Sequence, residues 1–180
     1  MTVNTPSSPK RYLLDRHIIR HLIVGLSLGQ RQSLASPSAE ALSLWQLAES
    51  QGIALCITDS LAYILKQQSA HAVTRFILAA TTELGPTRYC RRWARRVCEL
   101  ADLPYEDAMT LAFGSFGIDQ ARSMLGVQIV VISNRSMLDK YNSHLYELRQ
   151  RLDGMKARLP SPLNAASLPA VSLPDGLLGK

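Results

Sequence analysis

The strongest constraint on the fold is the alternation of short apolar strand patterns with helical patterns along the chain. Residues 10–15 have the composition of a first strand, and residues 53–58 alternate apolar side chains as a second strand does. Residues 127–132 form a continuous apolar run, which is typical of a parallel strand buried on both faces. Strands separated by helical stretches predict an α/β fold whose mostly parallel central sheet is flanked by helices.

Amphipathic spacing predicts the helices. After the first strand, Ile19, Leu22, Ile23 and Leu26 recur at the period of a helix, whereas the β-branched residues near Ile23 favour a strand over 21–28 as the alternative. A loop is predicted over 29–37. The remaining helices are predicted over residues 38–50 with Gly52 as C-cap, two stretches within 60–83 broken near Ser69, 87–101, 106–116 and a last helix over 138–152.

The length of 180 residues fits one domain with a short extension at each end. Residues 1–9 are polar and rich in Pro and Ser, which predicts a flexible N-terminal extension. Residues 10–158 carry the strand and helix patterns. Residues 159–180 place four prolines among Ser, Ala and Leu, so we predict a mostly unstructured tail there.

Two further features of the composition indicate a soluble protein of the cytoplasm. The sequence has no run of the roughly 18 apolar residues needed to span a membrane, and no secretory signal pattern at its start. The three cysteines, Cys56, Cys90 and Cys98, are odd in number and lack the spacing of a zinc or redox motif. Reduced thiols are therefore predicted, together with a reducing compartment.

A net charge of +6 and an arginine-rich helix favour an anionic partner such as RNA. Arginine binds phosphate well, and Tyr89 and Trp93 in the same helix could stack on bases. The alternative is a solvated arginine face with both aromatic rings in the core. The arginines of this helix are Arg88, Arg91, Arg92, Arg95 and Arg96.

Two carboxylates occupy positions that suit chemistry. Asp15 follows the first strand directly, and the crevice at the carboxyl ends of parallel strands is where α/β proteins bind ligands. Asp107 lies in the first turn of the helix over 106–116, where the helix dipole favours an acid. For both residues a purely structural role at the start of a helix is the alternative.

The ordered segments YLLDRHII, LPYEDAMTLA and VQIVVISNR resemble the PIN domain family over residues 10–152. The resemblance implies a three-layer α/β fold and metal-assisted hydrolysis of RNA, in which carboxylates hold Mg or Mn ions. By this resemblance Asp15 matches the family's first acid and Asp107 its third. It also implies a third strand between residues 58 and 107, which we do not see in the sequence.

The sequence departs from the family pattern at the other acids. Tyr63 stands where the second acid is usual, and Asp59, one turn earlier, is either a substitute metal ligand or an N-cap, a role that Thr58 could also fill. The turn after the last strand has Asn134 and Arg135 where an Asp is usual. Asp119 is considered as a further ligand, and Glu106 or Asp59 as a group that positions water.

The resemblance therefore implies a metal-dependent ribonuclease, of the kind found as the toxin of a toxin–antitoxin pair, with an antitoxin-like protein partner. The alternative is a catalytically inactive PIN-like domain that binds RNA or a protein, or a homodimer joined through the last helix. In the enzyme, Asp15 and Asp107 would be catalytic and would bind the metal with Asp59. The RNA backbone would be held by Arg88, Arg91, Arg92, Arg95, Arg96 and Arg135.

Overall fold

A computed structural model describes residues 8–28 and 35–179 of the chain. Within these ranges the strands are β1 (Arg11–Leu14), β2 (Ala54–Thr58), β3 (Thr82–Leu84), β4 (Ile118–Asp119), β5 (Met124–Leu125), β6 (Ile129–Val131) and β7 (Ala170–Ser172). Five of them form a parallel sheet in the order β3-β2-β1-β6-β7, and β4 and β5 form a separate antiparallel hairpin. The predicted α/β class with a parallel central sheet is confirmed.

The helices cover both faces of this sheet. In chain order they are α1 (Arg16–Leu28), α2 (Ser36–Gln51), α3 (Asp59–Gln67), α4 (Ala72–Ala80), α5 (Arg88–Ala101), α6 (Tyr105–Phe116), α7 (Arg135–Ser143), α8 (Leu145–Lys156) and α9 (Pro174–Leu177). None of the helices in the described ranges is long and apolar enough to cross a lipid bilayer.

The alternation of side chains along the strands divides the core in two. Leu14 and Ile57 face a core formed with α1 to α4. Leu13 and Cys56 point to the other face, where they pack with α5 to α8. A sheet buried on both faces by helices gives three layers, and it explains why its strands are continuous apolar runs.

The ambiguous segment after β1 is helical. Ile18, Ile19 and Leu22 are buried on one side of α1, whereas Val24 and Leu28 are partly exposed, so the helical period decides the conformation. The predicted loop over 29–37 lies outside the described residues at 29–34, and Pro37 stands in the first turn of α2. Residues 1–7 of the predicted extension also lie outside the described ranges.

Two predicted boundaries between residues 60 and 158 are wrong. The helical stretch expected to reach residue 83 ends at Ala80, and Thr82–Leu84 is the third strand, paired with β2. Three residues at a sheet edge are too few to show a periodicity. The single last helix is two helices, which meet at His144, whose Nδ1 lies 2.8 Å from the Lys140 carbonyl oxygen.

The prediction of an unstructured tail over 159–180 is also wrong. Ala170–Ser172 is the edge strand β7, which pairs in parallel with β6. Three side chains fix the tail: Tyr141 Oη donates to the Pro169 carbonyl at 2.8 Å, Lys156 Nζ donates to the Ala166 carbonyl at 3.1 Å, and Arg135 lies 3.7 Å from Asp175. The prolines of this segment favoured the prediction of an unstructured tail. Its order comes from contacts with distant residues, which local periodicity does not reveal.

Candidate functional site

A cleft of about 330 Å³ opens at the carboxyl ends of β1 and β2. It lies between the start of α1, the N-terminal part of α3 and most of α6. Its walls combine acidic, basic and apolar side chains. The lining residues are Leu14, Asp15, Arg16, His17, Thr58, Ser60, Leu61, Ile64, Tyr105, Glu106, Asp107, Met109, Thr110 and Phe113.

Asp15 forms the floor of this cleft and is only 8% exposed. Its Oδ1 accepts a hydrogen bond from the Ile18 amide at 2.7 Å, and its Oδ2 accepts a longer one from the Ser133 amide at 3.4 Å. The first bond makes Asp15 the N-cap of α1, and the second joins the end of β1 to the turn after β6. Burial raises the pKa of Asp15 above its usual value, although the Ile18 amide and nearby His17 oppose that rise.

Asp107 faces the same cleft from the third position of α6. No hydrogen bond joins its carboxylate to another of the described residues, and partial burial raises its pKa against the lowering effect of His17 and Arg16. Its neighbour Glu106 forms an ion pair with Arg16 at 2.7 Å, which links α6 to α1 across the cleft. Asp107 is thus the carboxylate of the cleft that makes neither a hydrogen bond nor an ion pair with the described residues.

The structure brings Asp15 and Asp107 to one cleft but leaves Asp59 outside it. The N-cap of α3 is Thr58, whose Oγ1 accepts from the Leu61 amide at 3.3 Å, so the cap prediction for Asp59 is wrong. Asp59 lines the adjoining groove instead. Over the ranges described here, His, Cys, Asp and Glu nowhere gather in a group of three that could surround one metal ion.

Asp119 and Tyr63 do not reach the cleft. The Asp119 carboxylate is buried in the β4–β5 hairpin, where it accepts from the amides of Ala121 and Arg122 and pairs with the Arg122 guanidinium at 3.0 Å. Tyr63 is 65% exposed on the outer side of α3. The idea that Asp119 adds a ligand to this cleft is therefore wrong.

The turn after β6 is used for structure. Asn134 is the N-cap of α7, and its Oδ1 accepts from the Met137 amide at 3.3 Å. Arg135 is directed towards Asp175 of α9 and lines neither the cleft nor its adjoining groove. Neither cavity therefore places Arg135 beside the arginines of α5 that the sequence predicted to bind RNA.

A second groove, of about 450 Å³, continues from the cleft to the start of α5. It is lined by Asp59, Ser60, Pro86, Thr87, Arg88, Arg91, Met109 and Phe113. Ser60, Met109 and Phe113 line both cavities, so the two adjoin on the surface, and together they are called the channel. The cleft end of the channel holds Asp15 and Asp107, and the groove end holds the exposed Arg88 and Arg91 together with Asp59.

The outer face of α5 carries the arginines, and its inner face is core. Tyr89 and Trp93 are 8% and 1% exposed, so the prediction that they stack on bases is wrong. Their rings are large apolar surfaces that α5 buries against α6 and the sheet. Arg96 pairs with Glu99 at 2.7 Å; for Arg91, Arg92 and Arg95 the described part of the chain supplies no ion-pair partner.

Sequence reasoning missed the apolar wall of the cleft. Tyr105, Met109 and Phe113 stand four residues apart on α6 and all three line the cleft. Tyr105 is 47% exposed, and Ile64 on the opposite wall is 53% exposed. The four-residue spacing was a readable signal, since it marks a second apolar stripe beside the core face of α6.

Comparison of the chain with protein-family models, with curated proteins and with solved structures found no match.

Proposed function

We propose that the chain is a PIN-like domain that binds single-stranded RNA along the channel between the cleft and the start of α5. The observation that carries this proposal is that the two cavities adjoin, since they share three lining residues. Arg88 and Arg91 stand exposed at one end, and the strand-end cleft with Asp107 lies at the other. A chain of phosphates and bases needs such an extended channel, with cations for its backbone.

The topology of the sheet supports a ligand at this place. The chain builds β1, β2 and β3 outwards in one direction and then crosses to β6 and β7 on the other side of β1. The order reverses next to β1, and α/β proteins bind ligands outside the carboxyl ends of the strands at such a reversal. Asp15, which bonds to the Ser133 amide after β6, lies directly at that point.

The same geometry is consistent with the PIN resemblance. An acid ends β1, another begins α6, and both contribute to one cleft beside a parallel sheet covered on both faces. The arginines of α5 also favour RNA, because a guanidinium forms paired hydrogen bonds with phosphate oxygens. The net charge of +6 adds long-range attraction for a polyanion.

Metal-dependent cleavage of RNA is the second candidate, and the pairing of Asp15 with Asp107 in one cleft favours it. Magnesium often binds through one or two carboxylates and fills its remaining positions with water and substrate phosphate. Asp15 and Asp107 would hold the ion; bound there, it would activate water and stabilise charge on the phosphate. Asp59 lies outside the cleft, and Glu106 is already paired with Arg16.

Binding is tested by fluorescence anisotropy of a labelled single-stranded RNA, in EDTA, over a series of salt concentrations. The Arg91→Ala variant should bind more weakly at every sequence and should reduce the slope of log affinity against log salt by about 1. The matched control is Arg20→Ala, which removes an exposed arginine of α1 that lines neither cavity. Binding that is independent of salt, or equally weakened by both substitutions, would contradict the proposal.

Cleavage is tested separately with the same RNA in manganese or magnesium. Metal-dependent cleavage by the wild type that disappears in Asp107→Asn would establish the second candidate. RNA binding without cleavage, together with no magnesium binding in a calorimetric titration, would leave binding alone as the function.

A further inference from the structure

We propose that the cleft holds one unpaired base of the bound RNA, preferably guanine, stacked on Tyr105 and hydrogen-bonded to Asp107. This inference rests on the proposed RNA-binding function and assigns the two ends of the channel different tasks. The arginines of α5 bind the phosphates, and the cleft recognises a base.

The walls of the cleft suit a base better than a phosphate. Six apolar side chains line it: Leu14, Leu61, Ile64, Tyr105, Met109 and Phe113. A phosphate gains nothing from such walls, whereas a base needs apolar surface for its two faces. The volume of about 330 Å³ is at the lower end of the range of small-molecule pockets, which fits a single nucleoside.

Tyr105 is the side chain best placed to stack on a base. Tyr105 is 47% exposed and lies at the mouth of the cleft, on the same side of α6 as Met109 and Phe113. A tyrosine fixed to the first turn of a helix offers a rigid face and loses little conformational freedom on binding. Ile64 stands on the α3 wall of the cleft and is also exposed, so apolar surface is offered by both walls.

Among the three carboxylates of the cleft, Asp107 is the one that the described residues leave without a partner. Asp15 already accepts from two backbone amides, and Glu106 is paired with Arg16. Asp107 has no such bond within the described residues, and an ionised carboxylate can only accept. The base that binds the Asp107 carboxylate best must therefore present hydrogen-bond donors to it.

Guanine meets this requirement most fully. Its pairing edge carries the N1–H and the N2 amino group side by side, which match the two oxygens of one carboxylate. Adenine and cytosine present one amino group next to a ring acceptor, and uracil presents one N–H between two carbonyls. In those three bases an acceptor would face the carboxylate, so each should bind less tightly.

The experiment compares four pentamers, UUXUU with X as each base, by competition in EDTA at low salt. We expect UUGUU to bind about tenfold more tightly than the other three. Asp107→Asn should reduce that preference to near unity, since an amide offers one donor and one acceptor. Tyr105→Ala should weaken the binding of UUGUU about tenfold, whereas Tyr105→Phe should bind it as tightly as the wild type does because the aromatic ring is kept. Circular dichroism of each variant establishes that it is folded.

Guanosine monophosphate is titrated in parallel to separate the two proposals. If the pentamers bind with equal affinity and Asp107→Asn changes nothing, the base site is overturned and RNA binding stands. If no pentamer binds but guanosine monophosphate does, and Tyr105→Ala abolishes that binding, RNA binding is overturned and the cleft takes guanine from free nucleotides. If neither binds, both proposals fail.

Discussion

The buried carboxylate of Asp15 combines a favourable hydrogen bond with an unfavourable charge. Its short bond to the Ile18 amide caps α1, and an N-cap of this kind contributes about 1 kcal/mol. At neutral pH, however, the ionised group has been removed from most of its water, which is why its pKa is raised. The residue has a structural role whether or not the cleft is catalytic.

We predict that Asp15→Ala lowers the free energy of unfolding by about 1–2 kcal/mol, because the amides at the start of α1 lose their acceptor. Asp15→Asn should be close to the wild type in stability at pH 7, because its amide oxygen can still accept from Ile18 and it carries no buried charge, whereas its amide nitrogen cannot accept the longer bond from Ser133. Urea denaturation measures both. An alanine variant as stable as the asparagine variant would show that the cap contributes nothing.

The pH dependence has a definite sign. A raised pKa means that the folded state of the wild type takes up a proton at higher pH than the unfolded state does. The cost of burying the charge is therefore fully present above that pKa and is lost as the pH falls from 7 towards about 4. Relative to Asp15→Asn, the wild type should gain stability over this interval. A constant difference between the two proteins would contradict the raised pKa.

The sequence predicted the positions of Asp15 and Asp107 correctly because each depends on a local feature, the end of a strand or the start of a helix. Whether Asp59 joins them depends on how α3 leaves the sheet, and the Thr58 cap directs its first turn towards the groove beside α5. Tyr105 was missed because its four-residue apolar spacing along α6, although visible in the sequence, does not by itself distinguish a cleft wall from a core face.

At the scale of elements, helix α5 combines an outer face of arginines that repel one another with an apolar inner face that packs in the core. Arg92 stands four residues from both Arg88 and Arg96, and like charges at this spacing repel. Arginines in the first turn also oppose the helix dipole. The helix is stabilised instead by its buried face, in which Trp93 and Val97 are almost completely enclosed.

We predict that Arg92→Glu raises the free energy of unfolding by about 0.5–1 kcal/mol at low salt, because two repulsive pairs become attractive. The gain should shrink in 0.5 M salt through screening, and RNA affinity should fall in the same variant. Arg92→Gln is the matched control, with about half of the gain. A destabilised Arg92→Glu protein would mean that Arg92 has a structural partner.

The tail segment shows the same dependence on tertiary contacts. Tyr141 is buried, and its hydroxyl satisfies the Pro169 carbonyl just before β7. Tyr141→Phe should lower the free energy of unfolding by about 1–2 kcal/mol, since it leaves a buried carbonyl without a donor. Tyr146→Phe is the control: that ring is 72% exposed, and its loss of a bond with Gln150 should change stability by less than about 0.5 kcal/mol. Equal effects of the two substitutions would show that the tail is not anchored through Tyr141.

The elements that the sequence predicted well are the long ones. Helices α2, α5 and α6 have enough turns to show a periodicity, and Gly52 ends α2 in the left-handed conformation that glycine favours (φ 64°). The strands β3 and β7 have three residues each, so only their pairing with β2 and β6 identifies them. Pairing is a property of the assembled sheet and leaves little trace in local sequence.

At the scale of the whole molecule, α6 connects the cleft to the tail. Its first turn carries Asp107, and its last turns pack so closely on β6 and the tail that Gly114 has no room for a side chain. A methyl group there would lie 2.7 Å from both Pro169 and Val130. The position of the cleft wall therefore depends partly on a contact with Pro169, in the segment that the sequence predicted to be unstructured.

We predict opposite effects for two glycine-to-alanine substitutions in helices. Gly114→Ala should lower the free energy of unfolding by about 1–2 kcal/mol, because overpacking exceeds the gain in helix propensity. Gly154→Ala in α8, where nothing lies within 4 Å of the added methyl group, should raise it by about 0.5–1 kcal/mol. Thermal and urea unfolding measure both, and a stabilised Gly114→Ala variant would show that α6 can move away from the tail.

The place of β1 in the middle of the sheet has a consequence for synthesis on the ribosome. β1 is synthesised early, and β2 can pair with one edge of β1 once residue 58 has been made. The other edge of β1 must wait unpaired until β6 is synthesised. At about 5–20 residues per second this wait lasts roughly ten seconds, during which an apolar strand edge is open to solvent and to other nascent chains. The layer of α1 to α4 can assemble meanwhile on one face only. Chaperone binding to nascent chains should therefore be strongest between the emergence of β3 and that of β6.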